Sequence, residues 1–414
     1  MRKVGAMRVL FTTFAWPSHY FPMVPLAWAC RAAGHEVRMA SQPELADLMR
    51  RSGLPYVTVG SDVDVVGRHR AEMAAAPPAR DPKPPWEWDE ERRRRVIRGL
   101  GLFVDLALAM ADDLIAFARA WRPDVIVHDP FTYAGPLAAR LIGVPSVRNL
   151  FGLDISLDLE AQALPPLLDR YGLSELRING DLTFNPCPPS LQFPVTAPTR
   201  NVRYVPYNGL SAIPRWIPQP PPRGPRVCLT WGTSTTRLGE NYTSWLPRLM
   251  DALRGLDVEV VAAVTAADRA RLGETSGRVQ IAELVPMQVL LPGCAAVVHQ
   301  GGAGTTLTSL LHGLPQLIIA QIADQVVNAS RVAETGAGRC LIGEEASADL
   351  VRDAVSEILD APGYGAAAGR LRDEMLAQDT PATLVSALED LTADRLNASR
   401  ARPVAQRRPP DSIP

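Results

Sequence analysis

At 414 residues the chain exceeds one ordinary hydrophobic core and fits two domains. Its 47% hydrophobic and 21% charged content is that of a globular protein in water, and a formal net charge of −1 leaves no overall attraction to nucleic acid or an anionic membrane. Aromatic residues at 6% argue against a stacking platform for single strands. Five scattered cysteines (Cys30, Cys187, Cys228, Cys294, Cys340), with no C-x-x-C pair, suit a reducing cytoplasm rather than disulfides or zinc. No segment is apolar for long enough to span a bilayer, and Met1–Arg8 lacks the apolar stretch of a signal peptide, with Met7 an alternative start.

Arg8–Thr13 reads as a buried strand. Pro22–Ala33 follows as a helix, with Val24, Leu26, Ala27, Ala29 and Cys30 at helical spacing and Gly34 as its stop. His35–Ala40 is a second strand, and Pro43–Ser52 a second helix ended by Gly53. Residues 67–90, rich in Ala, Pro and charge, break the alternation and read as a mobile excursion. Arg92–Trp121 is a long helix whose apolar face runs through Val96, Leu100, Phe103, Leu106, Met110 and Leu114; its arginines 92–95 read as a solvated start or a docking patch. Asp124–Val127 is a strand with Tyr133–Ile142 as its helix. Pro206–Pro225 is dense in proline and reads as a semi-rigid linker. After it come strands Arg226–Thr230, Val258–Val264, Ala295–Val298 and Leu317–Ala320, with helices Trp245–Leu253 and Leu307–His312.

This alternation in both halves predicts two α/β domains with parallel sheets and right-handed crossovers, enclosing a cleft where a small-molecule site would lie. The expected division is a first domain over 1–208, a linker over 209–225, a second domain over 226–380, a helix over 381–399 that packs back on the first domain, and a disordered tail over 400–414.

The most informative motif is His299-Gln300-Gly301-Gly302-Ala303-Gly304-Thr305-Thr306, between a strand and a helix. Glycines there let backbone N–H groups approach an anion, and the helix N-terminus adds favourable partial charge. The loop lacks the lysine of a P-loop and the spacing of a dinucleotide fingerprint. A tight turn that binds nothing is the alternative, but a simple turn has no use for His299. In the first domain, His19 follows the carboxyl end of the first strand, where a histidine can be a general base or an exposed loop residue. Asp129 ends the Asp124–Val127 region and could orient His19. Asp before Pro130 is also a good helix N-cap, and a capping carboxylate has one oxygen left, so both roles hold only in part. His128 reads as a strand-end side chain. Asp62-Val-Asp64 matches D-x-D, but no His or third acid accompanies it, which excludes a metal site.

These motifs, with Ser18-His-Tyr-Phe-Pro-Met-Val-Pro-Leu-Ala-Trp28, Arg31-Ala-Ala-Gly-His-Glu-Val37, Arg122-Pro-Asp124 and Leu284-Val-Pro-Met-Gln-Val-Leu-Leu-Pro292, resemble the nucleotide-sugar-dependent glycosyltransferases of the GT-B fold. The likeness extends over nearly the whole chain and is strongest to actinobacterial enzymes that attach deoxysugars to macrolides and other polyketides. It implies two Rossmann-like doubly wound domains facing a cleft. It also implies an inverting transfer of a deoxyhexose from an NDP-sugar, dTDP-linked, to a hydroxyl of a hydrophobic aglycone. His19 would be the base and Asp129 its supporting acid. His299 would contact the α-phosphate, while Gly232, Thr233, Gly302, Gly304 and Thr305 would line the diphosphate. Val285 would meet the nucleobase through its backbone, and Asp324 and Gln325 would hold sugar hydroxyls. Asp324 could alternatively cap a helix.

The resemblance implies no metal and no cofactor beyond the sugar nucleotide. It admits a homodimer and a cytochrome-like auxiliary activator protein as partners, the latter docking near Trp86–Arg98. Leu284 and Met287 stand where plant relatives carry Trp and Gln, and Gln300 where close relatives often carry a second His. The other readings of the same fold are a catalytically silent nucleotide-sugar binder or regulatory partner, and an NDP-sugar epimerase or hydrolase.

Overall fold

The computed structural model describes residues 5–75, 87–155, 159–195, 197–210, 212–217, 224–233, 237, 245–272, 278–343 and 346–401. Among these, two parallel sheets form. The first has the order β3 (Tyr56–Thr58), β2 (Glu36–Ser41), β1 (Arg8–Thr12), β4 (Val125–His128), β5 (Ser146–Asn149), β6 (Leu182–Asn185) and β7 (Thr199–Asn201). The second has the order β10 (Val279–Glu283), β9 (Glu259–Val264), β8 (Arg226–Thr230), β11 (Ala296–His299), β12 (Gln316–Ala320) and β13 (Gly338–Ile342). In each sheet the strand order reverses about its first strand, so each has one switch point: between β1 and β4, and between β8 and β11.

The central strands are buried on both faces, as their unbroken apolar runs require. Alternate residues serve opposite cores. Val9 and Phe11 pack with Leu26 and Ala27 of helix Val24–Ala32. Leu10 packs on the other side with Leu106, Met110 and Leu114 of helix Glu90–Trp121. In the second sheet Val227 and Leu229 pack with Leu246 and Leu249 of helix Trp245–Arg254. One further core is shared by the two halves: Leu153, Leu191, Phe193 and Tyr204 meet Leu307, Leu310, Val326 and Leu371. Helix Pro381–Ala401 returns to the first sheet's core through Leu384, Val385 and Leu388. There His35 bonds both ends of the chain, accepting from Met7 N–H at 3.1 Å and lying 3.2 Å from Glu389.

Several expected elements differ. The helix expected from Pro22 begins at Val24, preceded by helix Pro17–Tyr20 and a 3-10 turn Phe21–Met23. Pro17, Pro22 and Pro25 each sit in a first turn, the only helical position where a missing N–H is harmless, so they divide the run into three starts. Part of the expected excursion is ordered: Val65–Ala75 is helical, and residues 76–86 lie outside the described residues. The long helix starts at Glu90 because the Asp89 carboxylate caps the Arg92 N–H at 2.7 Å. The helix after the glycine loop starts at Ala303, four residues before the expected Leu307. Strand β5, Ser-Val-Arg-Asn, is wholly buried despite three polar residues, because Arg148 pairs with Asp154 at 2.5 Å inside the domain. No helix among the described residues is long and apolar enough to cross a membrane.

Arg226 and Glu259 face each other across β8 and β9 and pair at 2.6 Å with only 5% and 3% of their side chains exposed. Glu259→Ala is therefore expected to destabilise the second domain by about 3–5 kcal/mol in urea unfolding, because it takes the paired carboxylate from a buried guanidinium. A loss below about 1 kcal/mol would contradict this.

Candidate active site

Thr12 of β1 lies beside His128 of β4, so the segments leaving these strands emerge together at the first switch point. His19, from helix Pro17–Tyr20, and Asp129, just past β4, meet there with Nδ1 and Oδ2 2.8 Å apart. Asp129 is 1% exposed. Its other oxygen, Oδ1, accepts from the Phe131 N–H at 2.9 Å and the Thr132 hydroxyl at 3.4 Å, and its own N–H donates to Thr12 O at 3.1 Å. The carboxylate thus divides its oxygens. The cap is an Asx turn rather than a helix cap, since the helix begins only at Ala134. A carboxylate on Nδ1 selects the tautomer that leaves Nε2 as a proton acceptor.

The rings of Phe151 and Phe14 lie 4.3 Å and 4.6 Å from the imidazole, and Phe131, 6.1 Å away, is stacked on Phe103 at 4.5 Å. Neighbouring His128 is buried, donates from Nδ1 to Asp129 O at 3.1 Å, and is pushed down to about 3 by burial, so it stays neutral. Behind this pocket the buried Glu160 accepts from Tyr133 OH at 3.4 Å. Burial pushes its carboxyl up to about 8, against the opposing charge of Arg148.

At the second switch point, Leu229 of β8 lies beside Val298 of β11. Gly232, at φ +68°, follows β8, and a side chain there would collide with the Gln300 amide. Thr233 comes next, exposed. Gly301, at φ +98°, follows β11; a Cβ there would lie 2.8 Å from Ile318 and 3.0 Å from Gln325 O. Both loops therefore need glycine for conformation, and Gly301 needs it for space as well. Helix Ala303–Leu311 starts at Gly302, which supplies no side-chain cap, so its first-turn amides remain suited to an anion. Gly304 and Thr305 lie in that turn. The Gly304 carbonyl accepts from Tyr204 OH at 3.3 Å and Thr308 Oγ1 at 2.6 Å, and the Thr305 carbonyl from Ser309 Oγ at 2.8 Å. The Gly301 carbonyl accepts from Asn328 Nδ2 at 2.8 Å.

His299 departs from its expected contact. Its ring is fully buried: Nε2 donates to Gln316 Oε1 at 2.7 Å, and Nδ1 accepts from the Gly301 N–H at 3.0 Å. Both nitrogens are engaged inside the protein, and burial pushes the group down to about 4. A neutral imidazole so placed fixes the course of the glycine loop instead of presenting a ring nitrogen to a phosphate. Gln316, Asn328 and Tyr204, which complete this framework, carry no local motif and were missed in the sequence.

Val285 follows Leu284 at the end of β10; Leu284 is 60% exposed and held at φ +51°. Asp324 is in the first turn of helix Ala323–Glu334, whose N-cap is Ile322, so it is not the cap residue. Burial raises its carboxyl, opposed by backbone N–H groups of its own turn. Ile322, the N-cap residue, packs against the first domain's core, so this helix starts beside that domain. Gln325 Oε1 accepts from the Gln321 and Ile322 N–H groups at 3.0 and 3.4 Å, leaving only its NH2 for another partner. Arg237, beyond Thr233, crosses to the first domain, pairing with Glu44 at 2.5 Å and lying 4.9 Å over the Trp16 ring. Asp62 and Asp64 accept from the Glu44 and Gly67 N–H groups, and among the described residues no three His, Cys, Asp or Glu side chains gather as metal ligands.

The N-terminal domain of the erythromycin biosynthesis protein CIII-like family matches residues 28–232, and its C-terminal domain matches residues 247–391. The chain belongs to this CIII-like family. It is 41% identical to the 10-deoxymethynolide desosaminyltransferase of Streptomyces venezuelae, over 97% of this chain and 100% of that protein. It is 38% identical to the aclacinomycin-T 2-deoxy-L-fucose transferase of Streptomyces galilaeus, over 96% of this chain and 98% of that one. The crystal structure of glycosyltransferase VinC in complex with DTDP superposes with a TM-score of 0.77 at 32% identity, covering 94% of this chain and 100% of that one. The CIII-like chain is thus a GT-B glycosyltransferase, and its two sheets are the two Rossmann-like domains of that fold.

Because the folded Glu160 carboxyl is raised above its ordinary 4.5, the native state holds its proton longer than the unfolded chain, and stability is lost as pH rises from 4.5 through about 8. In thermal melts across that window the wild type is expected to lose stability relative to Glu160→Gln; parallel curves would show that Glu160 does not govern the loss.

Proposed function

We propose that this CIII-like enzyme transfers a deoxyhexose from a dTDP-linked donor to a hydroxyl of a polyketide aglycone in antibiotic biosynthesis, with inversion at the anomeric carbon. The observation that carries the reading is the His19–Asp129 pair at 2.8 Å in the same cleft as Asp324 and the uncapped helix Ala303–Leu311. The names of the relatives, desosaminyl- and 2-deoxy-L-fucose transferases, support the donor class, and the DTDP complex of VinC supports the nucleotide.

His19 Nε2 takes the proton of the acceptor hydroxyl as its oxygen bonds to the anomeric carbon. The bond from that carbon to the phosphate oxygen breaks, and its electron pair leaves with the diphosphate. Asp129 holds the ring and stabilises the imidazolium. Backbone amides of Gly302, Gly304 and Thr305, with Gly232 and Thr233, receive the growing charge on the leaving group. Val285 meets the base through its backbone, and Asp324 and the Gln325 NH2 bind sugar hydroxyls. The phenylalanines around His19 offer an apolar seat to the aglycone. A single displacement needs one base and no carboxylate nucleophile, hence inversion. A cytochrome-like auxiliary protein would dock at residues 87–98, where Arg92 lies 4.5 Å over the Trp88 ring; Trp86 is outside the described residues. A homodimer is compatible with this reading.

His19→Ala is expected to lower transfer by about 10²–10⁴-fold with dTDP affinity unchanged in calorimetry; near-normal turnover would remove His19 as the base. His299→Ala leaves the Gly301 N–H without its acceptor and is expected to weaken dTDP about tenfold. Equal affinity would sink the loop-shaping role. The anomeric configuration of the product, read by NMR, must be opposite to that of the donor. Tight dTDP binding without transfer to any polyketide would instead mark a silent binder.

A further inference from the structure

Three consecutive residues, Phe151, Gly152 and Leu153, touch three different parts of the site. Phe151 lies 4.3 Å from the His19 ring. Leu153 is buried in the core shared with Leu307 and Leu310 of the phosphate-loop helix. Between them Gly152 faces Ala303, the first residue of that helix: a Cβ at 152 would stand 2.6 Å from Ala303 Cβ, closer than real Cβ atoms come. Gly152 has no left-handed φ, so space alone demands glycine there.

The segment cannot shift to make room. On one side the Leu150 N–H donates to Phe184 O at 3.0 Å, anchoring it to β6. On the other, the Asp154 N–H donates to Gln192 Oε1 at 2.9 Å, and the Asp154 carboxylate pairs with buried Arg148 at 2.5 Å. The helix end is held as well, by Tyr204 OH on the Gly304 carbonyl.

We infer that Gly152 is a positioning residue: its missing side chain lets the phosphate-loop helix seat directly on the strip that carries Phe151 against His19, and so sets the distance between donor and base. The inference rests on the proposed transferase reading for its kinetic consequence, though not for the contact itself. Misplacing reacting atoms by about 1 Å costs on the order of 10²-fold in rate. Nucleotide affinity should change little, since the cradle belongs to one domain.

The test is a mutant cycle of Gly152→Ala, Ala303→Gly and the double variant. Gly152→Ala is expected to lower kcat at least tenfold at saturating substrates, with dTDP affinity within about threefold of wild type. Adding Ala303→Gly, which removes the atom that is struck, should restore kcat to the level of Ala303→Gly alone. The second readout needs neither donor nor acceptor: NMR of ¹³C-histidine-labelled free protein, with the His19 ring signals assigned through His19→Gln. Gly152→Ala should displace those signals, through the ring current of Phe151, and the double variant should return them.

Unchanged His19 signals in Gly152→Ala, or a displacement that Ala303→Gly does not reverse, overturns the inference. A wild type that transfers no sugar, while the signals still follow the cycle, overturns the transferase reading and leaves the contact standing. If Gly152→Ala does not fold, Phe151→Leu decides: a tenfold lower kcat with unchanged donor KM supports the strip's role, and an unchanged kcat refutes it.

Discussion

Parallel pairing with right-handed crossovers sends every strand's carboxyl end to the same edge of its sheet, and a reversal of strand order opens a crevice at that edge. The rest of the site depends on this constraint. In the first sheet β1 and β4 flank the crevice and deliver His19 and Asp129; in the second, β8 and β11 deliver Gly232 and the His299–Thr306 loop. Neither pair is contiguous in the chain. Each is brought together because two neighbouring parallel strands end at the same level.

The electrostatics follow the same division. In the first domain the buried Asp129 carboxylate assigns its oxygens separately to a backbone turn and to an imidazole, and so cannot drift. The second domain's glycine loop carries no ionised group. His299 is kept neutral by burial and uses both nitrogens to hold the loop, leaving a helix N-terminus and glycine amides to meet negative charge. Amide dipoles fixed in advance need no reorganisation when charge develops on a leaving group. Asp324 lies in the first turn of helix Ala323–Glu334, and burial raises its carboxyl against the backbone N–H groups of that turn.

What holds the halves in register is a core that belongs to neither. Leu153, Phe193 and Tyr204 close on Leu307 and Leu310; Arg331 donates to Leu191 O at 2.9 Å; and helix Pro381–Ala401 returns across the first sheet. Arg237 adds a polar contact at the cleft through Glu44 and Trp16. The second domain is thereby fastened to the first by apolar burial.

The sequence by itself determined the alternation of apolar strands and helices, the α/β class with two parallel sheets, the glycine loop and the two residues, His19 and Asp129, that follow β1 and β4. These are local signals: period, turn chemistry and the position of a polar residue at a strand's end. The short strand Ser146–Asn149 escaped it because its polar residues are buried against a neighbouring strand, as Arg148 is against Thr183 of β6. The role expected of His299 changed for the same kind of reason: only the neighbouring strand β12 brings Gln316 to its ring. Tertiary structure alone decided the aromatic surround of His19, the framework of Gln316, Asn328 and Tyr204, and the contact of Gly152 with Ala303. Apart from Phe14, five positions from His19, such contacts join residues from 17 to 151 positions apart, and no periodicity in a linear chain records which backbone must pass close to which.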